Sequence, residues 1–191
     1  MKYFFDTEFI EWAGGIDLVS IGIVAEDGST FYAECTTFDE RNADEWVWEN
    51  VLGKLSFWGK LPQKSRHAHS FQASCKGETI HYEVFGSPKY IKEMLMQFFA
   101  EDNSSPQFYA YYADYDWVVF CRIFGRMTDL PKGFPMFCID LKQMMWERCL
   151  DEDWKRENHP DPSNEHNALA DAEWNKGLYE KIAKYDPIPV R

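Results

Sequence analysis

The stretch KYFFDTEFIEWAGGIDLVSIGIVA, residues 2–25, contains two apolar segments separated by a glycine pair. Residues 2–5 form a short apolar run that ends in charge, and residues 16–25 are rich in branched side chains, which is typical of β-strands. Gly14-Gly15 supplies a turn between them, and Asp27-Gly28 supplies a second turn before the alternating segment 30–35. This part of the chain therefore predicts three consecutive antiparallel strands.

Beyond these strands, helical and strand-like patterns alternate. The clearest helix follows Ser87-Pro88, an N-cap and first-turn proline, and its apolar side chains recur at helical spacing: Ile91, Met94, Leu95, Phe98 and Phe99. Similar patterns predict helices at residues 41–55, 117–124, 141–149 and 168–185, and strands at residues 107–112 and 135–139. A meander followed by this alternation indicates an α/β domain with a mixed five-stranded sheet and helices on both faces.

Two polar segments fall outside this pattern. Residues 56–87 are rich in Gly, Pro, Ser, Lys and His, which indicates a long excursion from the core with a short strand at residues 79–84. Residues 151–165 contain Pro160 and Pro162 and are expected to form a loop. The length suits a single domain that spans residues 1–191.

The composition limits the class of protein. Hydrophobic residues make up 45% of the chain and aromatic residues 17%, which argues against disorder, collagen and coiled coil. The formal net charge of −12 argues against sequence-independent binding of a nucleic-acid duplex through a basic face. A small pocket can still hold a phosphate through bound cations.

Several features indicate a cytoplasmic protein without a membrane segment. No apolar run approaches the roughly 18 residues that a membrane-spanning helix needs. Asp6 and Glu8 stand where a signal peptide would have its apolar segment. The five cysteines are an odd number without a C-x-x-C pair, which fits the reducing cytoplasm.

Carboxylates recur next to the predicted elements. Asp6 and Glu8 follow the first apolar run and, being two apart in a strand, point to the same side. Asp114 or Asp116 follows the fourth strand, and Asp171 lies early in the last helix. Two carboxylates about 5 Å apart repel by about 3 kcal/mol at an effective dielectric constant of about 20, so a cluster needs a compensating cation. Ligands that are all oxygen favour Mg²⁺ or Mn²⁺.

A histidine precedes the last of these carboxylates by five residues. In a continuous helix this separation turns the side chains by about 500°, which leaves His166 and Asp171 on different faces. We therefore expect His166 to lie in the turn before the helix, where its ring can lean over the pocket that Asp171 enters. An imidazole with a pKa of about 6.5 can accept a proton from a bound water.

Taken together, these motifs match a family pattern. D-x-E near the N-terminus, an aspartate near the middle and H-x₄-D near the C-terminus resemble the DEDDh exonucleases, which have a ribonuclease H-like fold. More narrowly, YFFDTEFIE, SIGIVAEDG, YADYDW and HNALADA are similar to the ribonuclease AS type of exoribonuclease, which shortens adenylate-rich RNA from the 3′ end. The resemblance implies a metal-dependent 3′-5′ exoribonuclease that acts on single-stranded RNA.

The same resemblance implies roles for individual residues. Asp6, Glu8 and Asp171 would coordinate the ion that activates the water, and Asp6 would also bridge to a second ion, held by Asp116. His166 would be the general base. The two Mg²⁺ or Mn²⁺ ions would stabilise the attacking and leaving oxygens, so the terminal nucleotide would leave as a 5′-monophosphate.

Phe9 and Ile10 directly follow the acidic pair. The resemblance implies that these positions approach the terminal nucleotide, where a side chain can stack on a base. A role in the core is an equally weighted alternative for either side chain. An aromatic cleft with few basic residues favours a flexible single strand over a duplex.

The middle motif departs from the family pattern. Where many relatives have H-N-x-x-F-D, this chain has YYADYD at residues 111–116, with an additional acid. Two positions on a helix are about 200° apart, so Asp114 and Asp116 cannot both face one site. The position of Asp116 before Trp117 favours it as the ligand and leaves Asp114 as the N-cap.

Two alternatives to this function remain open. A 3′-5′ exodeoxyribonuclease would carry out the same chemistry on DNA, and a module without activity would only bind nucleic acid. The resemblance also implies a homodimer, because relatives of this subgroup are commonly dimeric.

Overall fold

The computed structural model describes residues 1–60, 68–100 and 105–185, and within these residues the chain forms seven β-strands and six α-helices. The strands are β1 (Lys2–Trp12), β2 (Gly15–Ala25), β3 (Thr30–Cys35), β4 (Ser70–Lys76), β5 (Thr79–Gly86), β6 (Gln107–Ala110) and β7 (Ile139–Asp140). The helices are α1 (Glu45–Asn50), α2 (Pro88–Phe99), α3 (Asp114–Phe124), α4 (Leu141–Glu147), α5 (Glu152–Asn158) and α6 (Ala168–Lys184). The α/β class is therefore confirmed.

The strands form one mixed sheet with the order β4-β5-β3-β2-β1-β6-β7. β1, β2 and β3 make the antiparallel meander that the sequence predicts. β6 pairs parallel with β1, and β7 pairs parallel with β6. On the other side, β5 pairs parallel with β3 and antiparallel with β4.

The expected count of five strands is wrong, because the sheet has seven. The additional strands β4 and β5 form a hairpin at one edge of the sheet. Every residue of β4 is exposed, although Phe71, Ala73 and Cys75 alternate with polar residues as in a strand. The Gly, Pro, Ser, Lys and His content of residues 56–87 instead indicates an excursion from the core. β5 includes the short strand expected at residues 79–84. Residues 61–67 of the expected excursion lie outside the described residues.

β1 extends well beyond its apolar run. It pairs with β2 from Tyr3 to Trp12, with a β-bulge between Glu8 and Phe9. Asp6 and Glu8 therefore lie inside the strand and not at its exit. The reason is that β2 continues to offer backbone partners to this charged part of β1.

Helices cover both faces of the sheet, as the sequence predicts. Tyr3 and Phe5 of β1 belong to a core that includes α2 and α3. Phe4, which points to the opposite face, belongs to a core that includes α4 and α6. Ile10 lies in a third cluster with the apolar residues that follow α1.

The best-patterned helices are confirmed. All five predicted apolar side chains of α2 are buried, and the Tyr90 N–H donates to the Ser87 hydroxyl oxygen at the N-cap. α4 begins after Asp140, whose carboxylate accepts a hydrogen bond from the Gln143 N–H at 3.0 Å. None of the described helices combines the length and the apolar character that a bilayer crossing requires.

Three other segments differ from expectation. The helix expected at residues 41–55 is divided into 3₁₀ turns at Glu40–Asn42 and Leu52–Lys54 on either side of α1. The prediction of a loop at residues 151–165 is wrong for its first half, which forms helix α5 with Asp151 as the N-cap. The strand expected at residues 135–139 is replaced by the two residues of β7.

Candidate active site

A cleft opens where β1 and β6 separate. β6 pairs only with residues 2–4 of β1, and beyond them the start of α3 lies against the edge of β1. There the Asp116 Oδ1 atom accepts hydrogen bonds from the Thr7 backbone N–H at 2.9 Å and from the Thr7 hydroxyl at 2.5 Å. The divergence of the two strands thus fixes Asp116 beside Thr7, the residue between Asp6 and Glu8.

The start of α6 lies directly over the meander. Gly22 pairs with Asp6 in the sheet, and a Cβ atom at Gly22 would stand 2.2 Å from the Ala168 carbonyl oxygen. Only glycine permits this close approach of helix and strand backbones. The Asn175 side-chain amide donates to the Phe5 carbonyl oxygen at 2.9 Å and ties α6 to β1. This packing brings the first turn of α6 to Asp6.

Asp6, Glu8 and Asp171 form a carboxylate cluster in which one oxygen of each lies within 4.8 Å of the others. Burial raises the pKa of Asp6 well above its usual value, and the charges of Asp116 and Glu8 raise it further. Burial and the charge of Asp171 raise the pKa of Glu8 to about 8. Burial raises the pKa of Asp171 to about 6, although the backbone N–H groups of His166 and Asn167 lower it. Like charges in partly buried positions cost free energy unless a cation balances them.

The two candidate acids of the middle motif occupy different environments. Asp116 is buried, and burial raises its pKa to about 7 against the hydrogen bonds from Thr7, which lower it. Asp114 is exposed as the first residue of α3. Its interpretation as the N-cap is wrong, because Ala113 occupies that position. The Ala113 N–H donates to the Asp140 carboxylate at 2.8 Å, which fixes the start of α3 without a cap from Asp114.

His166 lies in the turn before α6, where the sequence places it. Its φ angle is 63°, and Asn167 is the N-cap of the helix. Burial lowers the pKa of His166, and the positive charge of Lys54 lowers it further. The ring is therefore neutral at neutral pH and able to accept a proton.

These side chains line one open cavity of about 530 Å³. Among the described lining residues, Lys155 is the one lysine, and there is no arginine. The carboxylates of the lining are Asp6, Glu8, Asp116, Asp161, Glu165 and Asp171. A cavity of this charge can accept a phosphate group only together with cations.

The two predicted nucleotide contacts are separated by the alternation of the strand. Phe9 lines the cavity and stacks on Tyr115, with ring centroids 5.7 Å apart and ring planes at 13°. Ile10 is 1% exposed and packs in the third core cluster with Val19 and Leu52. The structure therefore brings Phe9 to the cavity and places Ile10 in the core.

Lys155, Asp161 and Trp174 form a second wall of the cavity, which the sequence motifs do not predict. The Lys155 Nζ atom of α5 lies 5.3 Å from the centroid of the Tyr111 ring and 5.5 Å from the Trp174 ring. The same atom pairs with the Asp161 carboxylate at 2.8 Å. These contacts fasten α5 and the segment after it to α6 and to the end of β6.

The sequence does contain a signal for α5. Asp151 is a good N-cap, acids follow in the first turn, and Lys155 and Arg156 follow in the last turn. Pro160 and Pro162 later in the same segment favour a loop, so the two signals conflict.

Comparison with known proteins places the chain among nucleases. A family model described as the 3′-5′ exoribonuclease Rv2179c-like domain matches residues 1–183, a range that contains every cavity residue named above. Two curated proteins of Mycobacterium tuberculosis are each 37% identical over 173 residues, which cover 90% of this chain and 87% of the relative. They are 3′-5′ exoribonuclease MT2234.1 of strain CDC 1551 / Oshkosh and 3′-5′ exoribonuclease Rv2179c of strain ATCC 25618 / H37Rv.

Proposed function

The chain belongs to the Rv2179c-like 3′-5′ exoribonuclease family, and from this premise we propose that it is a metal-dependent 3′-5′ exoribonuclease that releases 5′-mononucleotides from single-stranded RNA. One observation carries the proposal furthest: Asp6, Glu8 and Asp171 gather their oxygens in a cavity that His166 also lines. The resemblance of the motifs supports the further proposal that the chain is a DEDDh exonuclease of the ribonuclease AS type, with a ribonuclease H-like fold.

The carboxylate cluster fits divalent cations. Its donor atoms are carboxylate oxygens, the ligands that Mg²⁺ and Mn²⁺ prefer. Burial, and then the charge of Asp171 on Glu8 and of Glu165 on Asp171, raises the pKa values of these two carboxyl groups, so a bound cation would favour their ionised forms. Two such ions, when bound, would supply a water of lowered pKa and positive charge at the oxygens of the scissile phosphate. Asp6, Glu8 and Asp171 would hold one ion, and Asp6 with Asp116 would hold the other.

Two side chains of the protein have defined tasks in this proposal. His166 accepts the proton of the attacking water on a ring nitrogen, and its lowered pKa keeps that nitrogen free at neutral pH. Asp116 is held by two hydrogen bonds from Thr7, so its carboxylate keeps one orientation beside the cluster. Such fixed placement lowers the entropic cost of reaching the transition state.

The shape and charge of the cavity support a single-stranded substrate. Phe9 and Tyr115 offer stacked rings at the cavity wall, and an unpaired terminal base can stack there. A duplex would need a basic surface along both strands, which the net charge of −12 does not favour. Ile10 is buried in the third core cluster and does not touch the nucleotide in this proposal.

Two finer parts of the proposal, a preference for adenylate-rich RNA and assembly into a homodimer, rest on the resemblance of the motifs alone. A cytoplasmic location is also proposed, because Asp6 and Glu8 stand where a signal peptide would be apolar and the five cysteines contain no C-x-x-C pair.

A digestion series tests the substrate class. Equal lengths of poly(A), poly(U) and poly(C) RNA and their DNA counterparts are incubated with the protein in Mg²⁺ or Mn²⁺, and mononucleotides are followed by chromatography. We expect 5′-AMP to be released fastest from poly(A) RNA and no release after chelation. Faster digestion of DNA would favour an exodeoxyribonuclease, and tight RNA binding without any release would favour a module that only binds.

A further inference from the structure

The turn that carries His166 is bound to the first turn of α6 through Asp171. The His166 and Asn167 backbone N–H groups interact with the Asp171 carboxylate, which lowers the pKa of that carboxyl group. His166 also has a left-handed backbone conformation, with a φ angle of 63°, which is uncommon for a residue with a side chain. These contacts fix the backbone of the turn and leave the direction of the imidazole ring to other neighbours.

Trp46 of α1 contacts that imidazole ring. The two ring centroids are 4.8 Å apart, and the planes meet at 79°, an edge-to-face arrangement. Trp46 itself is 52% exposed, so the core depends little on it. Its indole is therefore placed to limit the rotation of the His166 ring.

Lys54 holds the same turn at a second point. Its Nζ atom donates a hydrogen bond to the carbonyl oxygen of Glu165, the residue before His166. Its positive charge also acts on His166 and Glu8, whose pKa values it lowers. The side chain of Lys54 is thus bound to the turn and close enough to the carboxylate cluster for its charge to act on Glu8.

Trp46 and Lys54 belong to one segment that is anchored to β1. Val51, Leu52 and Leu55 of this segment pack with Ile10, two residues beyond Glu8. The segment 45–55 therefore connects the strand that carries two of the carboxylates with the turn that carries the histidine.

We propose that Trp46 and Lys54 are positioning residues that hold the His166 turn over the carboxylate cluster, an inference that rests on the proposed nuclease function. Neither side chain needs to touch RNA. Trp46 sets the direction of the imidazole ring, and Lys54 fixes the backbone just before it. Loss of either contact leaves the cluster intact but lets the ring leave the position in which it can accept a proton.

The first test is kinetic and uses matched variants. Trp46→Leu and Lys54→Met should each lower kcat on an oligoadenylate by about tenfold or more with KM changed by less than about twofold, because misplacement of a catalytic group slows the chemical step. Trp46→Phe, which keeps an aromatic ring, and Lys54→Arg, which keeps a donor, should recover most of the rate. The controls are Trp48→Leu on the same helix, whose indole instead contacts Trp58, and Lys60→Met.

The second test is independent of activity. Ring protons of His166, assigned with a His166→Gln variant, are followed by NMR in the metal-free protein. The Trp46 ring current should shift these signals, so Trp46→Leu should move them and Trp48→Leu should leave them in place. This readout holds even if the wild-type protein digests no RNA, a result that would reject the proposed function and not this contact.

Several results would overturn the inference. Unchanged His166 signals in Trp46→Leu would mean that the ring contact does not exist in solution. Wild-type kcat in both Trp46→Leu and Lys54→Met would mean that the contacts do not position the base. A rise in KM without a fall in kcat would mean that these side chains bind RNA directly.

Discussion

Asp6 has like-charged neighbours on several sides. Asp116, Glu8 and Asp171 each raise its pKa, in addition to the larger effect of burial. The ionised carboxylates therefore destabilise the folded state, and a bound cation can offset this loss of free energy. At the scale of single residues, this unbalanced charge has a measurable consequence for stability.

The free energy of unfolding of the metal-free protein should fall as the pH rises, because Glu8 ionises in the folded state. The pKa of Glu8 is raised to about 8 in the folded protein, whereas a glutamate in an unfolded chain has a pKa of about 4.3. Between these values the folded state binds more protons than the unfolded state, so the free energy of unfolding falls with increasing pH. Urea unfolding in EDTA at pH 5 and pH 8 measures this loss.

The matched comparison is Glu8→Gln, which cannot ionise at this position. Its free energy of unfolding should decline less than that of the wild type over the same pH interval. Added Mn²⁺ should reduce the loss in the wild type and have a smaller effect on the variant. An equal decline in both proteins would mean that the Glu8 carboxylate is not destabilised in the fold.

Some residues of the site could be predicted from local geometry, and others could not. Asp6 and Glu8 share one side because strand residues two apart do so, and the turn before α6 places His166. The different positions of Phe9 and Ile10 depend on which elements cover each face of β1. That information lies in distant parts of the chain, so a local pattern cannot supply it.

At the scale of elements, the contact between α6 and β2 sets the geometry of the cluster. Ala168 at the start of α6 lies against Gly22, the partner of Asp6 in the sheet. The distance between Asp171 and Asp6 therefore depends on a position that has no side chain.

Gly22→Ala should disturb both stability and activity. The new Cβ atom would stand 2.2 Å from the Ala168 carbonyl oxygen, so α6 must move away from the sheet. We expect a loss of about 1–3 kcal/mol in the free energy of unfolding, as for other overpacked sites. We also expect a fall in kcat of about tenfold or more, because Asp171 and the His166 turn move with the helix.

Gly59→Ala is the control, since no atom of the described residues, its two chain neighbours aside, lies within 4 Å of the Cβ position there. Urea unfolding of both variants measures the change in stability, and digestion of an oligoadenylate measures the change in kcat. A Gly22→Ala variant with wild-type stability and kcat would show that the close packing of α6 on the sheet does not set the site.

The elements that the sequence predicted well share a strong and local pattern. α2 has a complete apolar face with a cap, and the meander has clear turns between apolar runs. α5 buries none of its own residues and has no apolar face to detect. The alternating apolar residues of β4 are all exposed and lie in a segment whose composition indicates a loop. Their existence depends on backbone pairing for β4 and on the contacts of Lys155 for α5.

At the scale of the whole molecule, a chain with a net charge of −12 is proposed to act on a polyanion. The described lining of the cavity offers a single lysine, which is already paired with Asp161. Few phosphate groups can therefore be neutralised by side chains of the protein. The attraction to RNA should come mainly from bound divalent ions and from base stacking.

The salt dependence of the reaction should reflect this charge distribution. For single strands, the logarithm of affinity falls with the logarithm of salt concentration by about 0.7 per neutralised phosphate. We expect the slope of log kcat/KM against log[KCl], at constant Mg²⁺, to be no steeper than about −2. A slope of about −5 or steeper would contradict the prediction and indicate a basic surface that binds the RNA backbone.

The central claim is that the carboxylate cluster and His166 together remove nucleotides from the 3′ end of RNA. The most direct measurement follows a 5′-labelled oligoadenylate on sequencing gels after mixing with excess wild-type protein or with Asp6→Asn, Asp171→Asn or His166→Ala, in Mn²⁺. With the wild type we expect a ladder that shortens one nucleotide at a time. With each variant we expect rates at least about 100-fold lower, since metal ligands and a general base each contribute on that scale. Wild-type rates in the Asp6→Asn and Asp171→Asn variants, or cleavage at internal positions, would contradict it.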